Sequence, residues 1–275
     1  MISDISDQAD GKLHKNRTVT EFDGQDQPGN RIAHFLHDNP AVVPLIVLLA
    51  STTIFSVLIG ERFFSAFTLT LILQQVAIVG IVACAQSLVI LTAGIDLSVG
   101  AIMVLSSVVM GKFTFDLGLP SGIAIFFGLA CGLLIGAING VLVACVRLPP
   151  FIVTLGMWQI ALAANFLYSG SEVIRSQDIA AHAPLLQFFG RKVEIGGAVF
   201  TYGVILMLLL VGFLSYVLGQ TAWGRHVYAV GDDPDAAELS GVNIKSTLIS
   251  VYALAGLICA FAGWVLIGRL GSVSP

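Results

Sequence analysis

The feature that most restricts the fold of this chain is one apolar run, from Thr68 to Gly111, that contains a single charged residue, Asp96. The run is 44 residues long. A continuous helix of that length would measure about 66 Å, whereas the hydrocarbon core of a bilayer is about 30 Å thick. One crossing cannot hold the run, so we predict that it breaks at Gly94–Gly100 into two membrane-spanning helices.

The composition also indicates a membrane protein. Of the 275 residues, 56% are hydrophobic and 11% are charged, against roughly 45–50% and about 25% in soluble domains. So few charges cannot cover the surface of a soluble fold, which excludes a water-soluble enzyme and a disordered chain. The net charge of -4 provides no basic surface for nucleic acid. We therefore predict an integral protein of the lipid bilayer.

Apolar segments of about 20 residues predict seven membrane spans. Two come from the broken run, and the others are Ala41–Gly60, Ser121–Val146, Phe151–Ser169, Phe200–Gly219 and Thr247–Ile267. The remaining stretches are polar: a tail over residues 1–40, a connection over 172–194 with room for a short helix, and a connection over 224–245. The expected fold is an all-α, polytopic transmembrane helical bundle.

The break in the long run admits two interpretations. A carboxylate at membrane depth costs about 2.5–3.5 kcal/mol, so Asp96 must be paired, hydrated or used to cap a helix. Asp96 precedes Leu97-Ser98-Val99 as an N-cap residue would, and Gly94 is suited to end the preceding helix. The break is therefore either an ordinary capped turn or unwound backbone that lines a polar pathway.

Four glycines in the fourth span, Gly128, Gly132, Gly136 and Gly140, recur every four residues and share one helix face. A glycine face lets another helix approach closely, either within the chain, which we favour, or at a subunit interface. Asn139 lies beside this face, where it could bond across helices or contact a ligand.

Uncharged amides within the spans favour a neutral, hydroxyl-rich solute over an ion, because a cation pathway usually carries several carboxylates. Hydrogen bonding between helices is the alternative role for each amide. The candidate pathway residues are Asp96, Gln86, Asn139, Gln159 and Asn165.

The polar connection over 224–245 carries the pattern of a short helix. Asp233 is suited to the N-cap, Pro234 to the first turn, Asp235 to the positive end of the helix dipole and Gly241 to the position after the C-terminus. We predict a helix of about two turns, which either simply connects two spans or docks on another protein.

The sequence contains no arrangement that predicts chemistry by the chain itself. It has no Ser/His/Asp or Cys/His cluster with a plausible nucleophile, and its four cysteines lie in apolar runs without metal-ligand spacing. It also lacks the G-x-x-x-x-G-K-[ST] pattern of an ATP-binding P-loop. We therefore predict no enzyme activity, metal site or cofactor, and any ATP-driven work requires a partner.

Three segments together resemble the permease subunits of bacterial monosaccharide importers of the ATP-binding cassette (ABC) class, the ribose/xylose/fructose group. The resemblance runs from about residue 41 to the end, and Gly-Ile-Asp-Leu-Ser-Val-Gly is its most specific part. The segments are Thr92 to Gly100, Asn139-Gly140 through Pro149-Pro150-Phe151-Ile152-Val153-Thr154-Leu155-Gly156, and Gly224-Arg225 through Ala236-Ala237-Glu238-Leu239-Ser240-Gly241-Val242.

The resemblance implies a permease domain over 41–275 that works in the bacterial inner membrane as a pair of identical copies around one pathway. An ABC-type ATP-binding subunit would dock on a cytoplasmic coupling loop over 220–246, and a periplasmic sugar-binding protein would deliver the sugar. The implied coupling residues are Arg225, Asp233, Ala237, Glu238 and Gly241. Six crossings precede this loop, which places the N-terminus and the polar tail in the cytoplasm; the Lys and Arg count near span ends does not favour this orientation by itself.

Two features depart from the family pattern. Many relatives carry an Arg and a Gly in the fifth span where this chain has Ala163-Ala164-Asn165, and relatives continue beyond the position of Pro275 with further spans. The second departure is the pattern expected of a C-terminally truncated product or a fragment.

The alternatives are a permease for a branched-chain amino acid or another small polar solute, a stand-alone secondary transporter, and a membrane enzyme. Branched-chain amino acid permeases lack the Gly-Ile-Asp-Leu-Ser sequence. A secondary transporter needs an ion site and usually an internal repeat, and an enzyme needs a catalytic cluster; the sequence shows none of these.

Overall fold

The computed structural model describes residue 39 and residues 42–195 and 198–275. The chain divides into two compact units, residues 1–61 and residues 62–275. In the first unit, helix α1 spans Val42–Ile59. Apart from Asn39, the predicted polar tail over 1–40 lies outside the described residues.

The second unit is built from helices of very different lengths. In chain order the helices are α2 Ala66–Ile90, α3 Val99–Phe115, α4 Ser121–Ala144, α5 Pro150–Ser169, α6 Ser176–His182, α7 Tyr202–Gln220, α8 Ala222–Asp232, α9 Pro234–Leu239 and α10 Ile244–Leu270.

The described helices confirm the prediction of an all-α, polytopic membrane protein. Six of them are long and apolar enough to cross a bilayer: α1, α2, α4, α5, α7 and α10. Helix α3 is apolar but has 17 residues, about 26 Å of helix, which is at the short end of the range for a span. With α3 included, the described helices match the seven spans predicted from the sequence.

The long apolar run breaks where the sequence predicts, between Ile90 and Val99, but the residues that form the break have different roles. Helix α2 ends at Ile90 with Leu91 as its C-cap, and the left-handed residue in the turn that follows is Ala93, with φ of 55°, rather than Gly94. The N-cap of α3 is Ser98 rather than Asp96. Both expected caps are therefore wrong: Leu91 takes the place expected of Gly94, and Asp96 bonds to Ser98 instead of to the first turn of α3.

A small β-hairpin precedes α7 and was not expected. Strand β1 (Lys192–Ile195) pairs antiparallel with β2 (Ala198–Thr201), with Lys192 opposite Thr201. The sequence predicted that the sixth span begins at Phe200, whereas α7 begins at Tyr202. Val199 and Phe200 suit a strand as well as an apolar helix, so periodicity could not assign so short a segment.

Helix α10 is the most buried of the spanning helices and forms the centre of the second unit. It packs on the glycine face of α4: a Cβ on Gly136 would overlap the carbonyl oxygen of Tyr252, and one on Gly140 would lie 2.8 Å from the Ile249 Cα. Gly256 of α10 faces Gly132 and Gly136 in return. The predicted packing role of the glycine face within the chain is confirmed, since no larger residue would permit this backbone approach.

Candidate functional site

The segment between α2 and α3, residues 91–98, contains Asp96, whose side chain is buried and bonded locally. Asp96 is 4% exposed. Its Oδ1 accepts hydrogen bonds from the Ser98 backbone N at 2.8 Å and from Ser98 Oγ at 2.6 Å. A carboxylate that accepts two hydrogen bonds is stabilised at a site where an isolated charge would be costly.

Asn139 of α4 extends this arrangement across the bundle. Its Nδ2 donates a hydrogen bond to Ser98 Oγ at 3.0 Å, and the Asn139 side chain is fully buried. Ser98 accepts from Asn139 and donates to Asp96, so the three side chains form one continuous chain of hydrogen bonds. Two of the predicted pathway residues, Asp96 and Asn139, are thus brought together through Ser98.

Two further helices hold the same segment. Thr154 Oγ1 of α5 lies 3.1 Å from the Ile95 carbonyl oxygen, within hydrogen-bond distance. On α10, the Tyr252 hydroxyl approaches Gly94 so closely that a Cβ there would lie 2.7 Å from Oη. Helices α4, α5 and α10 therefore all contact the segment that interrupts the long apolar run.

The segment 91–98 lies near the end of the bundle where α4 ends and α5 and α10 begin. Asn139, Thr154 and Tyr252 all lie within about 12 Å of those helix ends, at 1.5 Å per residue. The loop from α7 to α10 is at the same end of the second unit. Asp96 is therefore close to one end of the bundle, not half-way along it.

Helix α8 of that loop contacts the segment directly. A Cβ on Gly231 would overlap the carbonyl oxygen of Leu91 and would lie 3.2 Å from the Thr92 Cα. Helix α8 is also joined to α10, because Trp223 Nε1 donates a hydrogen bond to Ser250 Oγ at 2.8 Å. One short helix thus connects the loop surface both to the break and to the central helix.

The short helix predicted in the loop is present as α9. Asp233 is its N-cap and accepts a hydrogen bond from the Ala236 N at 3.0 Å, Pro234 is its first residue, and Gly241 follows it with φ of 84°. It has six residues, slightly less than the two turns expected.

Helix α8 was missed by the sequence interpretation, although a pattern for it was present. Trp223, Val227 and Val230 recur at helical spacing; Val227 and Val230 are buried and Trp223 is half-buried. This spacing of apolar residues is typical of a short amphipathic helix.

The residues implied in coupling occupy two environments. Arg225, Asp233, Glu238 and Gly241 are exposed, whereas Ala237 is 4% exposed and packs inward. Leu239, which the sequence interpretation did not single out, is 92% exposed at the end of α9. Leu239 therefore has the most exposed apolar side chain in the loop between α7 and α10.

The remaining pathway candidates do not join the Asp96–Asn139 group. Gln86 is half-buried, and its Oε1 has no hydrogen-bond partner among the described residues. Asn165 is buried with neither amide atom paired to any described group, and it lies 11 residues, about 16 Å, along α5 from Thr154. Gln159 is exposed. The five candidates therefore lie along the length of the bundle rather than in one cluster.

Three residues of this arrangement were not predicted from the sequence: Ser98, which lies in the segment itself, and Thr154 and Tyr252, which contact it. Ser98 adjoins Asp96 in a helix-capping pattern and could have been found. Thr154 and Tyr252 could not, since only tertiary packing brings them to residues 91–98. Across the described ranges, 42–195 and 198–275, no three His, Cys, Asp or Glu side chains cluster as a metal site would require.

Comparison with known proteins identifies the family to which this arrangement belongs. The family model described as "branched-chain amino acid transport system / permease component" matches residues 68–275. The chain belongs to this permease family. The match covers α2 to α10 and therefore includes both the broken segment and the loop that contacts it.

The curated relatives indicate which branch of this permease family the chain resembles, because their names refer to sugar import. The fructose import permease of Rhizobium meliloti is 66% identical over 94% of this chain and 72% of its own length. The ribose import permease of Escherichia coli K12 is 32% identical over 88% of this chain and 72% of its own length. The galactose/methyl galactoside import permease of the same strain is 32% identical over 87% of this chain and 73% of its own length. The chain is a permease of an ABC sugar importer. No solved structure matches it significantly.

Proposed function

We propose that this permease imports fructose, or a monosaccharide of similar size and hydroxyl pattern, across the bacterial inner membrane. The observation that carries the proposal is the 66% identity to a fructose import permease, about twice the identity to the ribose and galactose permeases. The described spans also suit a neutral solute, because Asp96 is engaged with Ser98 while the buried amide of Asn165 is unpaired.

Three protein partners belong to this proposal. An ABC-type ATP-binding subunit docks on the loop over 220–246, whose exposed residues Arg225, Asp233, Glu238, Gly241 and Leu239 form the contact surface while Ala237 supports it from within. A periplasmic sugar-binding protein delivers the sugar at the opposite end of the bundle. A second copy of the chain completes the pathway as a homodimer.

The docking loop also fixes the proposed orientation. Since an ATP-binding subunit works in the cytoplasm, this loop is cytoplasmic, and the six helices α1, α2, α3, α4, α5 and α7 precede it. An even number of crossings places the N-terminus on the same side. The polar tail over 1–40 is then cytoplasmic, and the permease domain comprises residues 41–275.

The sugar pathway is proposed to run past Asp96, Gln86, Asn139, Gln159 and Asn165. Gln86, Asn139 and Asn165 support this path best, since each carries a buried amide atom without a described partner, which sugar hydroxyls could satisfy. If Asp96→Asn and Asn165→Ala variants express normally and import at the wild-type rate, this path is wrong.

The substrate is tested with the complete transporter in vesicles. The permease is reconstituted with its ATP-binding subunit, the sugar-binding protein is added outside, and uptake of radiolabelled fructose is followed with ATP inside. Excess unlabelled fructose should abolish uptake, whereas ribose and galactose should compete weakly. Leucine is tested as a second substrate, because the family description refers to branched-chain amino acids. ATP-dependent uptake of leucine without uptake of fructose would overturn the proposal.

A further inference from the structure

We propose that Gly231 is a positioning residue through which the docking loop moves residues 91–98, and that this segment, here called the inner gate, opens and closes the cytoplasmic end of the pathway. The inference rests on the proposed docking of an ATP-binding subunit on the loop. It goes beyond that docking by naming the segment to which movement of the loop is transmitted and the residue that makes the contact.

The contact at Gly231 is between two backbones. Any Cβ at this position would overlap the Leu91 carbonyl oxygen, and Thr92 Cα is also within contact distance. A backbone-to-backbone contact transmits displacement directly, because neither partner can yield by changing a rotamer. Only glycine allows α8 to lie this close to the end of α2.

Helix α8 is held firmly enough to act as a unit. Thr221 caps it by accepting a hydrogen bond from the Gly224 N at 3.1 Å, and Val227 and Val230 are buried beneath it. The Trp223–Ser250 hydrogen bond joins it to α10. A force on the exposed face of the loop therefore reaches the inner gate through Gly231 and reaches α10 at the same time.

The inner gate itself is suited to rearrangement. After the Gly94 N, which bonds to the Val89 carbonyl, the segment leaves the helical hydrogen-bond pattern. Ala93 adopts a left-handed conformation that a residue with a Cβ disfavours. Asn139 of α4 donates a hydrogen bond to Ser98 in this segment, and Thr154 Oγ1 of α5 lies within hydrogen-bond distance of both the Ile95 carbonyl and the Pro150 carbonyl of its own helix. Few side-chain bonds, rather than a continuous helix, oppose its movement.

Helix α10 contacts the inner gate at a second point, where the Tyr252 hydroxyl lies over Gly94. Ser250, the partner of Trp223, is two residues from Tyr252 on the same helix. Movement of α8 and movement of the first turns of α10 therefore act on the same segment, at Leu91 and at Gly94.

The test compares Gly231→Ala with Gly219→Ala in the reconstituted complete transporter. Gly219 is the matched control, because it lies in the last turn of α7, next to the same loop, and a Cβ there meets no described atom within 4 Å. The measured quantities are co-purification of the ATP-binding subunit, ATP hydrolysis stimulated by the binding protein, and sugar taken up per ATP hydrolysed.

The expected result is that Gly231→Ala retains the ATP-binding subunit and hydrolyses ATP, but takes up at least tenfold less sugar per ATP, while Gly219→Ala matches wild type. A loss of folding would lower uptake and hydrolysis together, so the ratio separates coupling from stability. An unchanged ratio in Gly231→Ala overturns the inference, yet leaves the proposed function intact if the wild-type complex imports sugar.

Hydrogen–deuterium exchange on the wild-type complex provides a second measurement that needs no variant. A non-hydrolysable ATP analogue should change the exchange rate of the amides in residues 91–98, and Gly231→Ala should weaken that response. If Gly231→Ala fails to assemble, the wild-type result decides: unchanged exchange over 91–98 on nucleotide binding contradicts the inner gate.

Discussion

Asn139 Nδ2 lies 3.0 Å from Ser98 Oγ, so a buried amide of α4 fixes the residue from which α3 begins. Ser98 Oγ in turn donates a hydrogen bond to Asp96, so Asn139 is linked to the charged residue of the long apolar run through Ser98. The break in the run is consequently bonded to another helix of the bundle and is not a simple turn between spans.

Replacing Asn139 with alanine should destabilise the protein by about 1 kcal/mol, the usual net value of a hydrogen bond, because Ser98 loses its donor. The measurement is the thermal unfolding temperature of the purified protein in detergent. Gln159→Ala, an amide truncation at an exposed position, is the control and should leave that temperature unchanged. Equal unfolding temperatures for the two variants would show that the Asn139 bond contributes nothing.

Gly136→Ala should destabilise the protein by about 1–3 kcal/mol, the usual cost of overpacking, because the new Cβ overlaps the backbone of α10. Gly156→Ala in α5 provides the control, since its Cβ meets no described atom within 4 Å. Alanine is the better helix former, so this control should be neutral or slightly stabilising. The prediction is wrong if both variants unfold at the same temperature.

The general architecture followed from run lengths, because a 44-residue apolar segment cannot cross a bilayer once. The contacts of the break did not follow. Asn139 is 41 residues from Ser98, and Thr154 is 59 residues from Ile95, so no local pattern connects them. Sequence reasoning therefore located the break but not the side chains that hold it.

The loop illustrates a different limit. The cap formed by Asp233 and Pro234 predicted α9 because capping is a local interaction. The contact of Gly231 with Leu91 joins residues that are far apart in the sequence, and glycine gives no apolar pattern to predict it. The outward direction of Leu239 and the inward direction of Ala237 were likewise visible only in the folded loop.

Leu239→Asp should weaken binding of the ATP-binding subunit at least tenfold, because it places a charge at the most exposed apolar side chain of the docking loop. Binding is measured by co-purification at several subunit concentrations. The matched control is Leu185→Asp, which changes an exposed leucine in the loop at the other end of the bundle and should bind normally. Undiminished binding by Leu239→Asp would remove this residue from the proposed contact surface.

Lys112→Ala should lower the thermal stability of the opposite end of the bundle. Lys112 Nζ lies 3.2 Å from Asp116 Oδ2 and 3.1 Å from Glu172 Oε2, so it joins the end of α3 to the segment that follows α5. The expected loss is about 1 kcal/mol, because the Lys112 side chain is buried while both carboxylates are exposed, and solvent weakens their attraction to the ammonium group. The control is Lys192→Ala, which truncates an exposed lysine and should leave the unfolding temperature unchanged. An equal fall in unfolding temperature in both variants would contradict a specific role for Lys112.

The central claim is that this chain provides a path for sugar but no driving force. The most direct test measures sugar accumulation in vesicles that contain the permease alone, the permease with an ATP-binding subunit unable to hydrolyse ATP, or the intact complex. We predict accumulation against a gradient only with the intact complex and ATP. Accumulation by the permease alone would contradict this account.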